Sequence, residues 1–345
     1  MPVTLSALRG SAARVHGAAA AQHPRLSLRS TTLLGAAAAP RPPVAGVAAR
    51  ALRPTPGAPA SSASPSASRL RPPVAPVATR AAYTDAPSAD APPASLADQL
   101  KAAGIKTVAV AGATGGVGRA VVRALLATSS SAPSPDPPAL RVRALARSES
   151  RAATVLPPFG ANSQLSVAVA DVEQFATLPA ALRGADALVI ATGPPRTMNP
   201  LGPYEVDYQG NLNLFAAAQQ AGVKHVVFVT SIGADDLVNP LNLFFLILFW
   251  KKQAEAALQR SGLPYTIIRP GGLRDAGAAG GIVLGGPGTW GVPPLRSAGS
   301  ILRSQVADLV VGALANPGVS AGKVVEAIAK DDAPSRPVGQ LFSEV

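Results

Sequence analysis

Three glycines, Gly112, Gly115 and Gly118, stand three residues apart where the apolar run Thr107-Val-Ala-Val-Ala111 gives way to a helical pattern. Strand, glycine turn and helix in that order suit the phosphates of a dinucleotide. The first glycine turns the chain sharply, the second lets the backbone approach a pyrophosphate, and the third lets the new helix pack against the strand. Thr114, Gly116 and Val117 complete the turn Gly112-Ala-Thr-Gly-Gly-Val-Gly118, and the start of the helix faces the phosphates. A glycine turn in an ordinary α/β protein explains the spacing alone, but not the strand before it and the helix after it.

Cofactor preference is decided at the end of the second strand, 140–146. An NAD site usually carries Asp or Glu there, some 20 residues past the glycines, accepting from the ribose 2′-hydroxyl. Arg147 and Ser148 occupy the place here, once the low-complexity insertion Thr128-Ser-Ser-Ser-Ala-Pro-Ser-Pro-Asp-Pro-Pro138 is set aside as a surface loop. A guanidinium pairs with a 2′-phosphate, which favours NADP(H). Arg143 is a second candidate, better explained as a solvated strand residue. Asp171, followed by Val172, ends the third strand within reach of the adenine amino group. Ala191-Thr192-Gly193 ends the fourth and lets the backbone lie beside a ribose, while Ser231 follows the fifth, and Pro270 and Gly271 the sixth.

These positions require a frame of alternating strands and helices. Strands are expected at 107–111, 140–146, 165–170, 185–191, 225–229, 265–268 and 323–329. Helices are expected at 95–103, after the glycines, at 178–182, 207–220, 251–260 and 304–314. The fold class is α/β, a doubly wound parallel sheet of the Rossmann type. The glycine-rich stretch 276–291 has no strong pattern and suits a cover over the site or a mobile loop, and the chain from Asp332 reads as a Pro-broken end.

Residues 1–84 carry ten Arg and no Lys, Asp or Glu, leaving 21 basic and 19 acidic side chains for the rest. Ten of the twelve net positive charges therefore reside in the leader, and nucleic-acid binding is not expected. Rich in Ala, Arg, Ser and Pro and free of acids, 1–84 reads as a disordered transit peptide, processed near Thr79-Arg80-Ala81-Ala82. Its Pro and Ser density leans towards the chloroplast rather than the mitochondrion. Residues 85–104 form a linker and short helix, 105–334 the NAD(P)-binding domain, and 335–345 a C-terminal tail. The chain has no cysteine, and His225 is the sole histidine beyond the leader, so neither a metal centre nor a Ser-His-Asp triad is expected. His225 itself reads as a surface residue.

Gly112-Ala-Thr-Gly-Gly-Val-Gly118, Asp207-Tyr208 with Asn213, Thr230-Ser231-Ile232-Gly233, Lys251 with Ala254-Glu255, and Tyr265-Thr-Ile-Ile-Arg-Pro-Gly-Gly272 span nearly all of 105–330. Together they resemble the atypical short-chain dehydrogenase/reductase superfamily, in its plastid and cyanobacterial branch. The run 241–252 and the ending Lys323-Val-Val-Glu-Ala-Ile-Ala-Lys-Asp-Asp-Ala-Pro334 look most like the dehydrogenase-like subunit of the plastid inner-envelope translocon. That resemblance implies NADP(H) binding, membrane association and redox sensing rather than a known substrate. Pro/Ser repeats of the kind that subunit uses to hold ferredoxin reductase do not follow residue 334, which leaves that partner out of the expectation.

Chemistry in this superfamily uses a Tyr four residues before a Lys, the lysine lowering the phenol pKa for proton transfer. No lysine after residue 84 has that tyrosine; at Lys251, which matches the family lysine, the position is Ile247. The resemblance leaves Lys251 to hydrogen-bond the nicotinamide ribose. Ser231 is then either a polar group near the nicotinamide or a helix cap, and Tyr208 is the best substitute acid. Two functions follow: a cofactor-responsive regulatory or assembly factor with a plastid protein partner, or a reductase of a small carbonyl or quinone-like compound.

The most apolar run in the chain, 241–250, begins at Leu241, closes at Trp250 and is followed at once by Lys251 and Lys252. Ten residues make about 15 Å of helix, half of a bilayer core, so the run does not span. It is either a buried element covering the nicotinamide end of the site or a peripheral membrane contact, in the stroma or at a membrane surface.

Overall fold

A computed structural model describes residues 95–129, 140–159, 164–194, 199–291 and 299–345. The leader 1–84, the linker before residue 95 and most of the insertion after residue 129 lie outside the described residues.

The strand that precedes the glycines, β1 (Thr107–Ala111), lies inside the sheet with a strand on either side and alternates by size. Val108 and Val110 face one core layer, Ala109 and Ala111 the other, and all four are fully buried. A strand covered on both faces must be apolar throughout, as this one is. Ser95 caps α1 (Leu96–Ala102), and α2 (Gly116–Ser129) leaves the glycine turn. Next come β2 (Arg141–Ala146), α3 (Glu149–Val155), β3 (Leu165–Val169), α4 (Leu178–Leu182) and β4 (Ala187–Ile190). A π-helical turn over Pro203–Gly210 runs into α5 (Asn211–Ala221), which Gly222 ends in a left-handed conformation, φ 68°. The second half continues with β5 (His225–Val229), α6 (Ile247–Arg260), β6 (Tyr265–Pro270), β7 (Gly272–Arg274), β8 (Gly281–Gly285) and β9 (Ser300–Leu302). It ends with α7 (Arg303–Ala315), α8 (Pro317–Ser320), β10 (Lys323–Lys330) and α9 (Val338–Ser343).

The sheet order is β3-β2-β1-β4-β5-β6-β10-β9-β7, with β8 paired to β10. Strands β3 to β10 along this order are parallel, while β8 and β9 run antiparallel to β10. The order reverses between β1 and β4, which opens a crevice outside their carboxyl ends. Helices α2 and α7 pack against one another on one side; α4, α5 and α6 supply the other.

Four local expectations change. Helix α6 starts at Ile247 rather than residue 251, because Asn242 Oδ1 accepts from the Leu248 and Phe249 amides at 3.0 Å each and caps the earlier turn. The patternless stretch 276–291 contains β8, held by the register Ile328↔Val283. Segment 335–345 carries α9, whose Leu341 and Phe342 are buried in the core. His225 is buried, 2% exposed, rather than on the surface, because β4 and β6 flank its strand on both sides.

Candidate functional site

The residues that end β1, β2, β3 and β4 meet in one groove of about 440 Å³. Gly112, Thr114, Gly115 and Gly116 form one wall, Arg147, Asp171 and Val172 another, and Ala191, Thr192 and Gly193 a third. The glycine turn is shaped by close approach. Gly112 has φ 76°, and a Cβ there would lie 2.4 Å from the Ala191 carbonyl oxygen. A Cβ on Gly118 would lie 2.1 Å from the Gly112 carbonyl oxygen, so Gly118, buried with Val117, seats α2 against the turn instead of lining the groove. The Gly115 amide closes the turn on the Gly112 carbonyl at 2.9 Å. Amides at the start of α2 have no intrahelical acceptors, and they rise from the wall that Gly115 and Gly116 form. A dinucleotide diphosphate fits this cradle, and any larger side chain at residue 112 would strike the Ala191 backbone beside it.

At the far wall Arg147 is exposed, and Arg151, one turn into α3, lines the same space. Ser148 is not in the wall. Its hydroxyl caps α3, accepting from the Arg151 amide at 3.3 Å. Asp171 Oδ1 accepts from the Glu173 amide at 3.1 Å, and the Val172 carbonyl accepts from Asn213 Nδ2 at 2.9 Å, which fixes the adenine-side wall. Thr192 Oγ1 donates to Asn211 Oδ1 at 2.9 Å, and Asn211 Nδ2 donates to the Asp207 carbonyl at 2.8 Å.

A second set lies further along the strand ends and outside the groove wall: Ser231, Lys251, Tyr208, Pro270 and Gly271. Lys251 Nζ pairs with Asp207 Oδ1 at 2.8 Å; the lysine side chain is 13% exposed and the carboxylate fully buried. Burial raises the Asp207 carboxyl above its ordinary range, against the pull of Lys251, and among the described residues its Oδ2 has no partner. The lysine expected at the nicotinamide ribose is thus committed to a carboxylate. Ile247 begins α6 one turn earlier, so no phenol stands beside Lys251 in the usual register. Tyr208 packs between Tyr204 and Trp250, with ring centroids 5.9 and 5.5 Å away. Ser231 donates to the Ile232 carbonyl at 3.0 Å and is followed by a turn, so it caps no helix. Pro270 closes β6 and accepts from the Ile232 amide at 3.1 Å, while the Gly271 amide donates to the Ala327 carbonyl at 2.9 Å.

Beneath these loops Arg269 is buried and binds Glu255 through Nε at 3.0 Å and NH2 at 2.6 Å, and Asp235 through NH1. Burial alone would lower the guanidinium pKa; the bonds from Glu255 and Asp235 outweigh it and raise it. Thr230 Oγ1 adds a 2.6 Å bond to Glu255 Oε1. This network secures the ends of β5 and β6.

The apolar run divides. Leu248 is buried, but Leu243 is 85% and Phe244 66% exposed, and Leu241, Phe245 and Leu246 join them at the surface. Its first part, 241–246, is therefore not a buried cover, while 247–250 enters α6 with Leu248 in the core. Phe245 and Leu246 both have φ 58°, two consecutive left-handed residues without glycine. Among the described residues no helix is long and apolar enough to cross a membrane.

Residues 112–317 match the NAD(P)H-binding family, a span holding the glycine turn and the ends of β2, β3 and β4 that form the groove. The chain belongs to the NAD(P)H-binding family. It is 33% identical over 258 residues to protein TIC 62, chloroplastic, of Pisum sativum, covering 69% of this chain and 46% of that protein. It is also 36% identical over 251 residues to the uncharacterized chloroplastic protein At2g34460 of Arabidopsis thaliana, covering 70% and 82%. The chain spans about half the length of the TIC 62 relatives it matches. These plastid members of the family place it in the chloroplast. In fold it is similar to a Bacillus halodurans protein described as an NAD-dependent epimerase/dehydratase, with TM-score 0.56 and 23% identity over 70% of this chain and all of that one.

Proposed function

We propose that the protein is an NADP(H)-responsive regulatory or assembly factor of the chloroplast, which holds its cofactor without the usual proton relay. The carrying observation is the Lys251–Asp207 pair, 2.8 Å apart, with Ile247 where the phenol would be. Arg147 and Arg151 at the groove end support a 2′-phosphate and hence NADP(H). The bound nicotinamide supplies hydride chemistry. Around it the glycine turn would hold the diphosphate, Asp171 the adenine and Thr192 the ribose edge, and Ser231 and Pro270 would border the ring.

Lys251 also links the groove to the apolar turn. Its partner Asp207 adjoins Val206, a groove residue, and α6 carries Lys251 one turn from the exposed segment before Ile247. Cofactor binding that tightens this path would draw the turn against the domain, and its loss would free the apolar side chains for a membrane surface or a plastid protein. The test is sedimentation of the protein with anionic liposomes. Pelleting that is stronger without NADPH than with it is expected, and a protein that stays soluble in both conditions overturns the membrane arm.

A second function, reduction of a small carbonyl or quinone-like compound, is favoured by one observation. Tyr204, Tyr208 and Trp250 form a contiguous aromatic group with centroids 4.9 to 5.9 Å apart, beside the Lys251–Asp207 pair. NADPH oxidation measured against a carbonyl and quinone panel separates the two. Steady turnover of any member selects the reductase.

A further inference from the structure

Arg303, the first residue of α7, lies across the start of α2. A Cβ built on Gly116 would meet Arg303 Nε at 2.6 Å, Cδ at 2.9 Å and Cζ at 3.4 Å. Gly116 has no left-handed backbone, so nothing in its own conformation calls for glycine. What excludes a side chain at 116 is the arginine that passes over it. The second glycine of the pair that walls the groove is therefore small in order to admit a cation from the opposite end of the sequence.

The cation is held loosely. β7 and β9 run parallel with Arg274 beside Leu302, so the next step of that register sets Asp275 beside Arg303. Their side chains pair at 2.8 Å between NH1 and Oδ2, with Asp275 81% exposed and Arg303 22%. Among the described residues Asp275 is the one charged partner of this guanidinium, and it is met through NH1. An ion pair to so exposed a carboxylate contributes little, because water and salt screen it. Phosphate oxygens in a cradle of backbone amides are stronger partners, being doubly charged as a pair and able to accept from two guanidinium nitrogens at once.

The geometry points to Arg303 as the cation that meets the diphosphate of the bound dinucleotide, with Asp275 as the counter-ion it gives up. This rests on the NADP(H) function proposed above and adds a residue and an exchange to it. Division of labour along the groove follows. Arg147 and Arg151 meet the 2′-phosphate at one end, and Arg303 meets the diphosphate at the glycine turn. Release of Asp275 frees only the Asp275 end of the loop leading into β8, because Gln305 of α7 still holds the Ala279 and Gly280 carbonyls at 2.7 and 2.9 Å.

The experiment compares two probes by calorimetry: NADPH, and adenosine 2′-phosphate, which has the 2′-phosphate and no diphosphate. Arg303→Gln should weaken NADPH binding about 10- to 100-fold, as expected for losing charge-assisted bonds, and leave adenosine 2′-phosphate unchanged. Arg303→Lys should recover part of the loss. Asp275→Asn should tighten NADPH binding a few-fold by removing the competitor, an outcome that a purely structural pair would not produce. Unchanged NADPH affinity in Arg303→Gln overturns the assignment, as does an equal loss for both probes, which would mean a damaged fold. If the unmutated protein binds adenosine 2′-phosphate but not NADPH, the diphosphate role fails while the 2′-phosphate site stands. If it binds neither, the NADP(H) function itself fails.

Discussion

Arg147 is exposed at the end of β2 and has no acidic neighbour at the position that would accept from a ribose hydroxyl. Binding of NADPH should accordingly exceed that of NADH, and Arg147→Ala should erase most of the gap, about 1.5–3 kcal/mol for a charge-assisted pair. Calorimetry with both nucleotides checks this; equal affinities in the unmutated protein would contradict it. His225 makes a different prediction. Thr266 Oγ1 donates to the Ser320 carbonyl at 2.9 Å, so its remaining contact, 2.9 Å from His225 Nε2, must be one in which the imidazole donates. Burial pushes the His225 pKa down to about 4 from 6.5. The unfolded chain therefore takes up a proton first as pH falls, and the folded state loses stability between pH 6.5 and 4, on the order of 3 kcal/mol in full. His225→Gln should flatten that limb of the stability profile, which urea unfolding at several pH values would show. At this scale Gly112, Asp171 and Thr192 were legible in the sequence because each stands within two residues of a strand's end. Arg151 in the wall, Asn211 behind Thr192 and Arg303 over Gly116 were not, since only tertiary proximity brings them there.

Among the elements, α6 shows what periodicity leaves undetermined. An uninterrupted apolar run carries no phase, so nothing in 241–250 distinguished surface turn from helix start. The boundary is set by Asn242, whose side chain accepts two amides from beyond the two left-handed residues. Asn242→Ala should cost about 1 kcal/mol, by analogy with a lost helix cap, and lower the melting temperature by roughly 2–4 °C in a domain of this size. Thermal unfolding followed by circular dichroism tests it, and an unchanged midpoint would show that the turn is held by other contacts. The sheet was easier to anticipate, because β1 to β6 each carry a short apolar run bounded by turn residues. β8 escaped notice because glycine dilutes it, and its place is imposed by β10.

Across the whole molecule, the exposed apolar side chains before α6 are the feature least suited to a surface bathed only in water. Leu243→Asp with Phe244→Asp changes two side chains that are 85% and 66% exposed, so the domain should melt within a degree or two of the parent while liposome pelleting is lost. A variant that unfolds would show that the turn is part of the core. The order of the sheet has a consequence of another kind. β10, the last of the described strands in chain order, lies between β6 and the β9–β7 pair, and α7, nearly 190 residues further along the chain, covers α2. A chain that emerges from a ribosome or a membrane pore amino end first thus exposes the open flank of β6 and the bare face of α2 until residue 330 has passed. Folding must wait for residues 303–330, and during that wait the unpaired strand edge is open to other chains. A protein arranged this way depends on being shielded through its final stage of delivery, and any delay before residue 330 would register as aggregation rather than as a partly active domain.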